Sequence, residues 1–541
     1  MSKYAMRRAP LALAVGTALA SGGVQAVTIT VTSDEDAPVG FISDECTLRD
    51  AVVSANSGEA LGGCAAGTSG FDEIVFDDGL LDSTITLSEG QIEVTNPLAV
   101  EGPATGEAAG VVIDADQQSR IFRAEDAELF LRGLTLTGGL VDEDFSGGGA
   151  IYVEDSILFL DSVLVTGNET QGTDGGGGGL YLLGGELIVA DSEISDNATS
   201  GSSSGSRGGG AAVTGSVEIT NSRFEGNATQ ADGRGGGIDA IAQVGDTIAI
   251  HGSEFIGNAA VAGGGGLRLS PVIDSAAEIH DSIISGNTTE SEFGFGGGVD
   301  VFGDVRIFDS EISGNSTEGE TAHGGGVHVD QPDEVEIGGS TISDNTTSVA
   351  YSNGGGLAVR FGEPEIAVTN STVSGNDAGG EYGGGGIYVY SNSPEDTSLT
   401  LTHATLADNA NAKYSDSEGD AVYISAGTLT LNNSLLVGEE DLCNTSADEF
   451  TNTFATDESC TGTGVSEDAI GLEELADNGG PTPTHALGDD SVAIDGGGDC
   501  QVAFEIDADQ RGMPRPGPGS QDCDIGAYEL GDEVIFSDRF E

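Results

Sequence analysis

A chain of 541 residues carries 17 basic and 91 acidic side chains, a formal charge of −74, and 88 glycines. That charge disfavours nucleic acid and anionic membrane surfaces as partners, and an acidic partner would need bridging cations. Proline and glycine together stay below the ~25 % typical of aperiodic disordered chains, so the information lies in where the glycines fall.

The chain opens on a signal-like segment, 1–26. Lys3, Arg7 and Arg8 precede an apolar run from Leu11 to Ala20, and small residues lead up to Ala26. This pattern predicts a cleaved secretory signal. No later run reaches the ~18 apolar residues of a membrane span, so an exported chain without a transmembrane span is expected. Six cysteines fall near the two ends in local pairs, Cys46 with Cys64, Cys443 with Cys460 and Cys500 with Cys523. An oxidising compartment favours three neighbouring disulfides. The alternative, a metal site, lacks the close spacing zinc uses. Residues 27–128 are expected to form an N-terminal cap and the first coils, the segment "TLRDAVVSAN" being a short amphipathic helix able to cover an open end.

From 129 to 440 the chain repeats. Asn168, Asn197, Asn227, Asn258, Asn287, Asn315, Asn345, Asn376 and Asn409 recur every 28 to 33 residues, each about 20 residues after the start of a glycine run. Most follow a Ser-x-apolar-x-x-Asn pattern, as in "SEISGN" and "STISDN". Between glycine run and asparagine lie short segments of period 2, such as "VDVF" and "VRIF", without any helical stretch. Parallel strands on a period of about 30 residues predict an all-β, right-handed parallel β-helix of the pectin-lyase-like kind, with about 12 coils. Its asparagines would form a hydrogen-bonded ladder, and its glycines would supply backbone angles closed to other residues. Six of the nine asparagines also begin N-x-[ST], a glycosylation signal. The ladder accounts for the asparagine without it.

The segments "GGGAIY", "FEGN" and "FIGN" resemble the GGA[ILV] and FxxN repeats of polymorphic outer membrane proteins, which are surface β-helix adhesins. The family ends in an autotransporter barrel, whereas here no succession of alternating strands follows the repeat. "CTLRDAVVSAN" resembles the CSLREA-type N-terminal domain of exported bacterial β-helix proteins. "NGGPTPTHAL", "VAIDGG" and "DQRGMPRPGPGSQDCDIGAYE" are similar to the choice-of-anchor Q region, so 441–530 is expected to close the helix. The tail 531–541, "GDEVIFSDRFE", resembles short Phe-Glu tails on exported proteins, a sorting motif in that reading. These resemblances imply a secreted protein or one attached at the outer-membrane surface.

For chemistry, register gives the candidates. Two residues past each glycine run, an outward column collects Tyr181, Ala212, Asp239, Arg268, Asp300, His328, Ala358 and Tyr388. Two residues further, the same face carries Ile241, Ser270, Phe302, Asp330, Arg360 and Tyr390. Asp239, Arg268, Asp300 and His328 are the catalytic candidates of a polysaccharide lyase acting on an acidic glycan; Tyr181, Asp330, Arg360, Tyr388 and Tyr390 are candidates for binding. Against this, opposite charges on neighbouring strands also pair simply to avoid repulsion. The mature chain has one lysine, Lys413, and no tryptophan, while the NTD, GHG and RIK clusters of polygalacturonases are absent. The expected function is therefore a non-enzymatic adhesion or surface scaffold displaying variable loops to an unknown surface, matrix or glycan ligand. No cofactor and no specific metal site are expected. Acid-rich turns can associate Ca²⁺ diffusely, so a passive cation-binding surface component is a further reading.

Overall fold

One coil shows how the sequence dictates the path. In the computed structural model, Val299–Phe302 and Asp304–Phe308 form two strands of a first sheet, Glu311–Ser313 a strand of a second, and Ser316–Thr317 a short strand of a third. Val299, Val301, Val305, Ile307 and Ile312 point inward and are fully buried. Corners fall where the backbone turns left-handed, at Gly303, Asp309 and Gly314. Each coil pairs in parallel with the next, so that among the described residues the three sheets hold 24, 14 and 8 strands. The chain is thus the parallel β-solenoid that its period predicts, and 14 stacked strands in the second sheet lie close to the expected dozen coils.

The structure describes residues 26–531 except 43, 104–109, 202–204, 273–274, 349–350, 381–382, 394, 412–418, 440, 501–505 and 518. All but the last residue of the expected signal, nearly all of the C-terminal tail and Lys413 lie outside the described residues. No described helix is long and apolar enough to cross a membrane.

The asparagine ladder is present over all nine positions. Asn315 Nδ2 donates to Asn345 Oδ1 at 2.9 Å and to the Ile284 carbonyl at 2.9 Å, while its own Oδ1 accepts from the backbone and side-chain amides of Asn287. The same pattern runs from Asn168 to Asn409, and every ladder asparagine is buried. The residue two places on has its own task. Thr289 Oγ1 donates to the Gly294 carbonyl at 2.8 Å and Thr347 Oγ1 to the Ser352 carbonyl at 2.9 Å, pinning the loops that follow. Thr170 Oγ1 does the same with the Gly177 carbonyl, whereas Thr199, Thr229 and Thr317 are buried at the equivalent place with no hydrogen-bond partner for Oγ1 among the described residues. A serine ladder runs beside it, with the Ser310 N–H donating to Ser340 Oγ at 3.2 Å.

The glycine run is needed for clearance as well as for angle. Gly296 has φ +62°, and a Cβ there would lie 2.2 Å from the Val299 carbonyl oxygen; a Cβ at Gly297 would lie 2.4 Å from the Gly325 carbonyl oxygen of the next coil. No larger residue fits either position.

At the N-terminal end the helix Leu48–Ser57 packs on the first strands, capped by Thr47, whose Oγ accepts from the Asp50 amide. Cys46–Cys64, Cys443–Cys460 and Cys500–Cys523 form the three expected disulfides. The C-terminal region does more than close an end. Residues 442–455 add to the last coils, and 470–530 then run back along the outer face of the second sheet. Gln510 donates to Thr341 and accepts from Thr372, His485 meets Ser374, and the Ala527 amide donates to Thr405. The coil surface is prepared for this strap. Its outer position in the second sheet reads Glu193, Arg223, Glu254, Ile283 and Glu311 on uncovered coils, then Thr341, Thr372 and Thr405 beneath the strap.

Candidate functional site

The predicted column exists in register. Asp239, Arg268, Asp300, His328, Ala358 and Tyr388 occupy one position on six successive strands, with Tyr181 and Ala212 continuing it. The column is not open to solvent in the way that its outward register predicts. Asp239 and His328 are 1 % exposed and Asp300 6 %, because the loop entering each strand folds back over the sheet. The outward face of this strip is a second, polar core.

The covering residues lie at or just before the start of each glycine run. Gly147 and Gly176 leave room for the Tyr181 ring, and Gly263 for the Asp300 carboxylate, which stands where a Cβ would. Arg207 and Arg234, in register with each other, bring their charges to Asp239. Phe295 stacks on His328 at 4.6 Å and on His323 at 5.8 Å; His323 in turn stacks on Tyr388. Arg207, Arg234, Phe295 and His323 escape a reading based on strands alone.

Within the strip the charges are paired unevenly. Arg268 Nε lies 3.0 Å from one Asp300 oxygen and His328 Nδ1 2.8 Å from the other. Burial pushes the Asp300 carboxyl up, but Arg268 and His328 together hold it below its ordinary value. Asp239 is the opposite case: burial raises it against the pull of Arg207, Arg234 and Arg268. Its Oδ2 has no hydrogen-bond partner among the described residues, with Arg234 Nε 4.0 Å away and likewise unpartnered. His323 is held well below its usual range by burial, then by Arg360 and His328, and its Nδ1 accepts from the Asn353 amide at 3.1 Å. His328 Nε2 and Asp330 Oδ1 are buried without hydrogen-bond partners among the described residues.

The binding candidates divide. Tyr181 and Tyr388 are buried in the second layer, at 8 % and 5 % exposure, whereas Asp330, Arg360 and Tyr390 lie at its edge beside the open sheet. The described residues contain no cluster of three or more His, Cys, Asp or Glu arranged to hold a metal ion. Depressions elsewhere do not overlap the strip. One of about 170 Å³ on the first coils is lined by Phe71, Phe130 and Phe159 with Glu73, Glu101 and Arg132.

No protein-family model matches the chain, and no curated protein matches its sequence. Among solved structures it is similar to the A-module of the mannuronan C-5 epimerase AlgE6 of Azotobacter vinelandii, at 15 % identity and a TM-score of 0.36, covering 77 % of this chain and 96 % of that one. It is also similar to pectate lyase Pel9A, at 12 % identity and a TM-score of 0.27, covering 94 % and 97 %. At these values neither likeness bears on chemistry.

Proposed function

We propose that the protein is an exported β-solenoid of the cell surface or extracellular matrix, serving as a non-enzymatic interaction scaffold. The observation that carries this reading is the sealing of the charged column: Asp239, Asp300 and His328 are covered by loops, and Asp300 is engaged by His328 and Arg268 of the same column. A group that no substrate reaches does no chemistry. The loops after the ladder asparagines support display, since they range from "AAVAGGGG" to "ATSGSSSGSRGGG" while the coil beneath keeps its register. The resemblances of both chain ends to exported β-helix proteins support the location.

The alternative is a polysaccharide lyase acting on an acidic glycan. It draws on the Asp300–His328 contact, which leaves Nε2 facing away from the carboxylate as a base. One experiment separates the two. The purified mature chain is incubated with polygalacturonate, alginate and hyaluronan, with and without Ca²⁺, while absorbance of unsaturated products and binding are followed together. Absence of unsaturated product, whether or not a polysaccharide is retained through Ca²⁺, is the expected result. Product that disappears in His328→Ala refutes the scaffold.

A further inference from the structure

Beside the sealed column lies a row of a different character. Phe302, Asp330, Arg360 and Tyr390 stand in register on four consecutive coils. At ~4.8 Å per coil the row is about 14 Å long. Both ends are open aromatic side chains, Phe302 at 44 % and Tyr390 at 37 % exposure.

Ordinary charge pairing does not explain its centre. On the next strand of Phe302's own coil, in the same sheet, Arg306 pairs with both Glu334 and Glu336. Arg360 has Asp330 as its in-register neighbour, yet makes no ion pair among the described residues. Its guanidinium is held instead by aromatic rings, 4.8 Å from the centre of Phe361 and 5.5 Å from that of Phe295. Phe361 adopts φ +60°, which a bulky side chain rarely does, and its ring also meets Tyr390 edge-on at 5.6 Å. Alongside stands Asp330, a partly buried carboxylate whose Oδ1 has no hydrogen-bond partner among the described residues. An oriented cation, a neighbouring carboxylate and two exposed rings, all in one line, form an unfilled set of contacts.

We propose that this row binds a neutral oligosaccharide laid along the rod axis, with Phe302 and Tyr390 against sugar faces and Asp330 and Arg360 taking hydroxyl groups. Aromatic bodies with a few convergent polar groups are what such a ligand needs. The net charge of −74 selects a neutral chain over a polyanion. The site deepens the scaffold reading and rests on it, by naming what the surface holds.

The test is calorimetric titration of the full mature chain with cellohexaose, laminarihexaose and mannohexaose, with hexagalacturonate as the charged comparison. At least one neutral hexaose is expected to bind. Phe302→Ala, Tyr390→Ala and Arg360→Ala should each weaken that binding about tenfold or more, equivalent to ~1.4 kcal/mol. Arg306→Ala, on the charge-paired strand, should leave it unchanged. Because Phe302 and Tyr390 are exposed, their variants keep the wild-type melting temperature. Absence of binding by all three neutral hexaoses, binding confined to hexagalacturonate, or binding indifferent to Phe302→Ala and Tyr390→Ala would each overturn the site. Shortened products from a bound hexaose would instead overturn the non-enzymatic reading and leave the site in place.

Discussion

Replacing Asn315 by alanine tests the ladder where it is continuous on both sides. The substitution removes two donors, those to Asn345 Oδ1 and to the Ile284 carbonyl, and the acceptor shared by the backbone and side-chain amides of Asn287. Asn287 Nδ2 keeps its bond to the Phe255 carbonyl, and Asn345 Oδ1 keeps the Asn315 amide. One group is left bare in a fully buried place, the Asn287 amide, while the Ile284 carbonyl stays in the parallel ladder with the strand Glu311–Ser313. At ~1–3 kcal/mol for the orphaned group, with the net bonds lost besides, the cost is about 2–4 kcal/mol. In a solenoid this loss is concentrated on the affected coil and its neighbours. Hydrogen exchange followed by mass spectrometry should show protection falling in the coils containing Asn287, Asn315 and Asn345, and staying at wild-type level around the N-terminal helix. Asn315→Asp keeps the acceptor but loses both donors and buries a charge, so it should be at least as damaging. A change below about 1 kcal/mol in the central coils for Asn315→Ala would refute the view that the ladder stabilises them.

Three further outcomes are expected. Thr289→Val breaks the bond that pins its loop and should cost about 1 kcal/mol, whereas Thr317→Val, at an equivalent buried position whose Oγ1 has no partner, should be neutral or stabilising in the same denaturation assay. Asp300→Ala leaves Arg268 and His328 facing each other beneath the loops and should destabilise by ~3–5 kcal/mol; the wild-type contribution, from a carboxyl held below its ordinary value, is present above pH ~4 and lost as pH falls through the folded value. The buried Arg515–Glu529 pair behaves in the reverse sense. Burial raises Glu529 to about 7 and lowers Arg515, so both partners shift toward their neutral forms. The penalty is absent below the unfolded carboxyl value of ~4.3 and complete above pH ~7. Proteolysis of the strap should therefore quicken from pH 5 to pH 8, and an Arg515→Met, Glu529→Leu double variant should lose that dependence.

What the sequence revealed was what repeats. The spacing of Asn168 through Asn409 and the glycine runs mark positions where each coil needs the same residue for the same reason, so a single chain displays them nine times. The column from Asp239 to His328 was equally readable as a register, but its burial was not, because side-chain alternation reports only which side of a strand a residue takes. Whether that side meets water depends on the return path of a loop, and the loops vary. Phe295 and Arg207 gave no periodic signal, since the residue at the covering position changes from coil to coil. The strap is the hardest case. The change from Glu311 to Thr341, Thr372 and Thr405 marks its footprint, but that change has meaning only once the partners are known to be Gln510 for the first two and Ala527 for the third, 122 to 169 residues away.

That distance separates two kinds of assembly. A coil closes using the preceding coil and its own roughly 30 residues, so the rod can lengthen in the direction in which the chain is made, each new turn templated by the last. Gln510, Ala508 and Ala527 have binding places on coils completed more than a hundred residues earlier. Those places stay open until almost the whole chain is present. Docking of the strap is thus the one step that reports completion, and a chain that stops short keeps a row of threonines uncovered as the mark of an unfinished rod.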